Sequence, residues 1–150
     1  PSPLTIMLIG EYTHSVDDKS RIALPSKFRK ELGKKVIITR GLDTCLFLYS
    51  IDEWEKLSKH VGELGLSKAD KRGLNRFLFA GAQEVEIDKN GRILIPDFLK
   101  TFAGLKTKVV FAGVYDRIEI WNEQAWSKYK RKIEGQADIL AEQLGETNEF

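Results

Sequence analysis

The feature that most constrains this chain is that it repeats itself. Residues 14–35 resemble residues 85–108: Asp17 and Asp88, Arg21 and Arg92, Pro25 and Pro96, and Gly33 and Gly104 are each 71 positions apart. One inserted residue later the match continues through Gly41 and Gly113 to Trp54 and Trp126. Two copies are too few for a solenoid, so the halves are expected to pack against each other as one pseudo-symmetric body.

Each copy reads alike. A strand (Glu11–Val16 or Gln83–Ile87) runs into a four-residue turn, Asp17-Asp18-Lys19-Ser20 or Asp88-Lys89-Asn90-Gly91. Asn90-Gly91 is a hairpin signal, because both residue types tolerate positive φ. A second strand, Arg21–Leu24 or Arg92–Ile95, stops at a proline that opens a short helix. Ser26 and Asp97 are alternative caps one residue further on. Two more strands follow, Lys35–Thr39 with Cys45–Tyr49, and Lys108–Phe111 with Arg117–Trp121. Gly41 and Gly113 read as turn glycines. Trp54, Leu57, Val61 and Leu64 then mark one helical face, as do Trp126, Ile133 and Leu140 with Tyr129, Ala137 and Leu144 beside them. Those stripes either dock on their own sheet or join subunits. A connecting helix, about Lys68–Ala80, turns Leu74, Phe77 and Leu78 inward.

Composition narrows the class. With 42% hydrophobic residues the chain can build a core, and a lone Cys45 rules out an internal disulfide framework. No run approaches the ~20 apolar residues of a membrane helix, so a cytoplasmic location is expected. The single methionine, Met7, reads as the natural start, which makes residues 1–6 a cloning remnant. The net charge of +2 conceals an uneven distribution. Residues 17–40 carry eight basic and three acidic side chains, and residues 88–111 five against two. Residues 134–150 hold five acids and no base. Concentrated positive charge is what counterion release from phosphates rewards.

The chemistry lies in the turns. Four residues bring Asp17 close to Arg21 and Asp88 close to Arg92, so the carboxylate can accept turn amides and orient the guanidinium. Arginine suits the position better than lysine, because its donor fork grips a phosphate or a guanine edge bidentately. A β-ribbon is narrow enough to enter a major groove. Lys19, Lys27, Arg29 and Lys89 surround the two turns and are candidate DNA contacts along with Arg21 and Arg92.

The doubled pattern Asp-x-x-x-Arg-Ile-x-Leu/Ile-Pro, spaced by about 70 residues, resembles the MraZ family of the AbrB/SpoVT swapped-hairpin superfamily, from Met7 to about Leu144. The resemblance implies a mostly β fold with helices (α+β), in which two tandem pseudo-symmetric swapped-hairpin units form one double-ψ-like barrel with flanking helices. It sets the units at 11–54 and 82–126, with linking helices at 55–81 and a C-terminal helix and acidic tail at 127–150. It further implies a nucleoid-associated, non-enzymatic regulator of the cell-division and cell-wall gene cluster. Such a regulator needs no cofactor or metal and assembles as a ring-shaped homo-oligomer on G-rich repeated boxes upstream of its own operon. Arg21 is the implied DNA-contacting arginine, Arg92 its counterpart, and Asp17 and Asp88 orient them. Ser20 departs from the glycine usual at its position and puts the turn geometry in question.

Two other readings compete. An enzyme would need chemistry the sequence does not provide: His14 sits on a strand before the turn, His60 on a polar helix side, and Cys45 in an apolar run without a base. A ring-assembly module that uses the Asp–Arg turns for packing is the stronger competitor.

Overall fold

The computed structural model describes residues 7–146, so residues 1–6 and the end of the acidic tail lie outside it. Among the described residues eight strands form: β1 (Leu8–Ser15), β2 (Arg21–Ala23), β3 (Lys35–Arg40), β4 (Leu46–Ser50), β5 (Gln83–Glu86), β6 (Arg92–Leu94), β7 (Lys108–Tyr115) and β8 (Ile118–Asn122). The helices are α1 (Ser26–Leu32), α2 (Ile51–Gly62), α3 (Lys68–Asn75), α4 (Asp97–Ala103) and α5 (Glu123–Glu146). The fold is mixed α and β, as the alternating and helical periodicities require.

Six strands make one sheet in the order β1-β7-β8-β4-β3-β5, while β2 and β6 form a separate two-stranded ribbon. Four pairings join one copy to the other: β1 with β7, β3 with β5, β4 with β8, and β2 with β6, all antiparallel. The simple β1–β2 hairpin expected from the first turn is reduced to one bridge, Val16 to Ile22, before β2 crosses to β6. Strand β2 thus pairs across the copies rather than along its own. The closed barrel is not what the pairing gives: β1 and β5 end the hydrogen-bonded order, and the sheet stays open. Side-chain packing covers the opening instead. Ile22, Leu24, Ile93 and Ile95 from the ribbon region join Phe28, Leu32, Leu99 and Ala103 from α1 and α4 over Val36, Ile38, Leu48, Phe111 and Ile120.

The opposite sheet face carries an aromatic layer. Phe47, Tyr49, Val110 and Trp121 are buried there beneath Trp54 and Leu57 of α2 and Trp126 and Tyr129 of α5. Central strands sandwiched this way are buried on both faces, which is why β4 reads as a continuous apolar run. Ser50 caps α2 by accepting from the Glu53 amide at 3.2 Å, and Asn122 Oδ1 accepts from the Ala125 amide at 2.9 Å as α5 begins. α5 is pinned to β1 through Glu11, which accepts from Trp126 Nε1 at 2.8 Å and from Lys130 Nζ at 3.0 Å.

Several expectations are corrected. Pro25 and Pro96 occupy the N-cap position, leaving Ser26 and Asp97 as the first helical residues. α2 ends at Gly62, so Leu64 falls beyond it. The connecting helix divides into α3 and a π-helical turn at Arg76–Ala80, whose carbonyls of Arg76 and Phe77 accept from Arg40. β7 runs four residues past Phe111 because β1 accompanies it through Tyr115. Gly113 lies inside β7 and is not a turn glycine, while Gly41 opens the β3–β4 connection as expected, with φ of −107°. They are sites of close approach: a Cβ would lie 2.6 Å from the Phe47 ring at Gly41 and 2.8 Å from the Leu8 backbone at Gly113. Along α5, Trp126, Tyr129 and Ile133 are half-buried, whereas Ala137 and Leu140 are exposed, so only the first turns of the stripe dock on the sheet.

Candidate nucleic-acid interface

Each turn is built by one carboxylate. Asp17 Oδ1 accepts from the amides of Lys19 and Arg21, both at 2.8 Å, and Asp88 Oδ1 from those of Asn90 (2.8 Å) and Arg92 (2.9 Å). The backbone closes around them, with Ser20 N to Asp17 O at 3.1 Å and Gly91 N to Asp88 O at 2.9 Å. The fourth turn residue is left-handed in both copies, with φ of 60° at Ser20 and 77° at Gly91. Such a turn followed by one left-handed residue is a common hairpin geometry. Asn90 keeps a negative φ, so the two-residue positive-φ turn expected from Asn-Gly does not form. The Ser20 departure therefore leaves the turn geometry intact.

The second carboxylate oxygen aims the arginine. Arg21 Nε donates to Asp17 Oδ2 at 3.0 Å, and Arg92 Nε to Asp88 Oδ2 at 3.3 Å. Amides donated by Arg21 and Arg92 are the first cause holding the Asp17 and Asp88 carboxyls below the usual carboxylate range. Both are ionised at neutral pH. No hydrogen bond among the described residues draws on the Nη groups of either arginine.

The β2–β6 ribbon brings the two turns together. Arg21 lies opposite Leu94, Arg92 opposite Ala23, and Ile22 opposite Ile93. Strand alternation sends Ile22 and Ile93 into the core and the other four side chains to the outer face. Arg92 Nη1 comes within 4.0 Å of Asp17 Oδ2, so one carboxylate oxygen lies beside both arginines. The arginine side chains are 31% and 30% exposed, enough to meet a ligand while still being held.

The other expected contacts divide. Lys19 and Lys89 are exposed at the turn tips. Lys27, on the first turn of α1, borders a shallow depression with His14 and Ala23 beside the ribbon. Arg29 is exposed, yet its guanidinium lies against Gly91 of the other copy. Lys100, 71 residues after Arg29, was missed; its Nζ donates to Ser20 Oγ at 2.9 Å. The repeat spacing was the signal that could have found it. His14 Nδ1 meets the Ala23 carbonyl and its ring stands edge-on to Phe111, a packing role. Cys45 is fully buried, and burial pushes its thiol pKa up, which keeps it protonated. Among the described residues, no group of three or more His, Cys, Asp or Glu is placed to hold a metal ion, and no helix is long and apolar enough to cross a membrane.

These features define a class: a mixed α and β protein with an internal repeat whose paired strands present two Asp-anchored guanidiniums on one surface. Comparison with known proteins gives the family. The model of the family described as "MraZ protein, putative antitoxin-like" matches residues 7–77 and again 78–145. The chain is 45% identical to a protein named transcriptional regulator MraZ from Caldanaerobacter subterraneus subsp. tengcongensis, over 95% of this chain and 99% of that one. Proteins of the same name from Acetivibrio thermocellus (48%, over 92% and 96%) and Caldicellulosiruptor saccharolyticus (55%, over 81% and 85%) are also similar. The chain belongs to the MraZ family.

Proposed function

We propose that this chain is a sequence-specific, DNA-binding transcription regulator that works through its two Asp-x-x-x-Arg turns. The observation that carries the reading is the presentation of Arg21 and Arg92 side by side on an outer face, with Nε anchored and no Nη hydrogen bond among the described residues, Arg92 Nη1 lying 4.0 Å from Asp17. An anchored guanidinium with a free fork is preorganised for a guanine edge or a phosphate. The regulator names of relatives that align over most of the chain support the same reading, and they support a non-enzymatic role.

In this proposal Arg21 and Arg92 read the duplex, Asp17 and Asp88 orient them, and Lys19, Lys89, Lys27 and Arg29 supply phosphate contacts. The target is the G-rich repeated boxes upstream of the chain's own operon in the cell-division and cell-wall cluster. The regulator works in the cytoplasm at the nucleoid. Several subunits in a ring present their ribbons to successive boxes, which raises effective concentration. Exposed apolar side chains away from the ribbon, Ile9 and Tyr115 at one end of the β1–β7 pair and Ile139 on α5, are consistent with faces that copies cover in such an assembly.

The test is a mobility shift on duplex DNA from upstream of the protein's own gene against a scrambled duplex, repeated across salt. Selective binding is expected, with log affinity falling against log salt by a slope of up to about 5 per subunit if the six named basic residues all meet phosphate. Equal affinity for both duplexes would remove the specificity, and absence of binding at low salt would remove the function.

A further inference from the structure

The turns are not held by their own copies alone. Lys100 of α4 donates to the hydroxyl of Ser20, and the Ile95 amide donates to the Ser20 carbonyl at 2.9 Å. The mirror contacts link the other turn: the Leu24 amide donates to the Gly91 carbonyl at 2.9 Å, and Arg29 of α1 lies over Gly91. Arg29 and Lys100 occupy matched positions, as do Ser20 and Gly91. The helix that opens at each proline thus reaches across the ribbon to the opposite turn, at the residue whose left-handed backbone sets the direction of the following arginine.

The residue types match in pairs. A Cβ on Gly91 would come within 1.8 Å of Arg29 Nη1 and 2.6 Å of its Cζ, so a broad guanidinium faces a turn without a side chain. At the other turn a narrow ammonium faces a serine and uses its hydroxyl as an acceptor. Ser20 at φ 60° is in a region that non-glycine residues seldom enter, and it has an external donor to hold it there.

We propose that Lys100 and Arg29 are positioning residues: each fixes the opposite copy's left-handed turn residue, Lys100 aiming Arg21 and Arg29 aiming Arg92. This rests on the DNA-binding reading and adds to it a role for Arg29 different from direct phosphate contact. It also accounts for serine in the first turn, whose hydroxyl gives Lys100 an acceptor that glycine lacks.

Amide hydrogen exchange on the full chain without DNA tests the placement. Lys100→Met is expected to speed exchange of the Arg21 and Ile95 amides about threefold or more while leaving those of Arg92 and Leu24 as in the parent, and Arg29→Ala is expected to do the reverse. Gly91→Ser, which pushes the guanidinium aside, should reproduce Arg29→Ala. Unchanged exchange, or equal loosening of both turns, overturns the proposal. A double-mutant cycle on the upstream duplex tests the consequence. Ser20→Ala and Lys100→Met should each weaken binding about fivefold, and the double variant no more than either single. Additive losses, with a salt slope lower by about 1 in Lys100→Met, would make Lys100 a direct phosphate contact instead. If the parent fails to bind DNA the function proposal falls, and the exchange measurements still decide this one.

Discussion

Replacing Arg21 by alanine is the most informative perturbation of the site. Its Nε is committed to Asp17 at 3.0 Å, so the substitution removes the Nη fork from any ligand and leaves the carboxylate behind. One bidentate contact to a base edge is worth about 1–3 kcal/mol, or about 5- to 150-fold in affinity. The orphaned Asp17 carboxylate then bears on the approaching phosphates and on Arg92, 4.0 Å from it, so the loss should fall in the upper part of that range, about 100-fold. Neutralising the carboxylate in Asp17→Asn, Arg21→Ala should recover a substantial part of it. Arg21→Lys should fall between parent and alanine, because charge remains but the fork does not. Arg92→Ala should cost less, since Asp17 keeps Arg21 and the orphaned Asp88 is the more exposed carboxylate, at 39%. The assay is fluorescence anisotropy on the upstream duplex at fixed salt, with mass by light scattering and a melting curve for each variant. Because the ion pair is about one-third exposed, the melting temperature should move by no more than about 2 °C. The reasoning is refuted if Arg21→Ala binds like the parent, or if Arg92→Ala is the weaker binder. Loss of mass or of stability alongside DNA would favour an assembly role for the turn.

The same geometry sets three further outcomes. The Asp17 and Asp88 carboxyls have folded pKa values below their unfolded ones, so their contribution to turn order is fully present above about pH 4 and lost as pH falls through the folded values; Arg21 and Arg92 amide exchange corrected for intrinsic rates should stay level from pH 7 to 5 and rise below 4. Ile22→Ala removes a fully buried side chain beneath the ribbon and should cost about 2–5 kcal/mol, read by denaturant unfolding, with Ile22→Val nearer 1. Gly113→Ala sets a methyl 2.8 Å from the Leu8 backbone, which a side-chain rotation cannot relieve, and should lower the melting temperature by several degrees at a cost of about 1–3 kcal/mol.

What was legible in the sequence was local or repeated. The Asp-x-x-x-Arg turns, the prolines opening α1 and α4, and the apolar face of α2 all show, because each is specified within a few residues and the matched copies reinforce them. The partner of β2 was not legible. Period-two alternation says that Ile22 points inward and Arg21 outward, but not whether the neighbouring strand is β1 or a segment 71 residues away. The open sheet follows from that same non-local choice. Gly41 and Gly113 were recognisable as special without their reason, since the atoms they accommodate, the Phe47 ring and the Leu8 backbone, arrive through folding. Lys100 was concealed because its partner Ser20 lies 80 residues away, although its match to Arg29 was in view.

The exchange of strands has a consequence for how such a site arises. Among the described residues, β3–β4 and β7–β8 are the only strand ladders within a copy, beside the single Val16–Ile22 bridge; the ribbon and three further ladders join the two copies. One copy alone would have Ile22, Leu24 and Phe28 without the strands and helix that cover them, and its edges would be unpaired. Residues 7–77 expressed alone should therefore recover the fold only by pairing with a second identical half, giving a dimer whose melting temperature rises with concentration. A stable monomeric half with a cooperative, concentration-independent transition would show that the copies fold independently and that the shared ribbon is incidental. Fusion of the copies in one chain removes the concentration dependence and, because the two turns are then separate stretches of sequence, lets them diverge. The Ser20–Lys100 and Gly91–Arg29 pairs are one such divergence, at residues that meet across the ribbon.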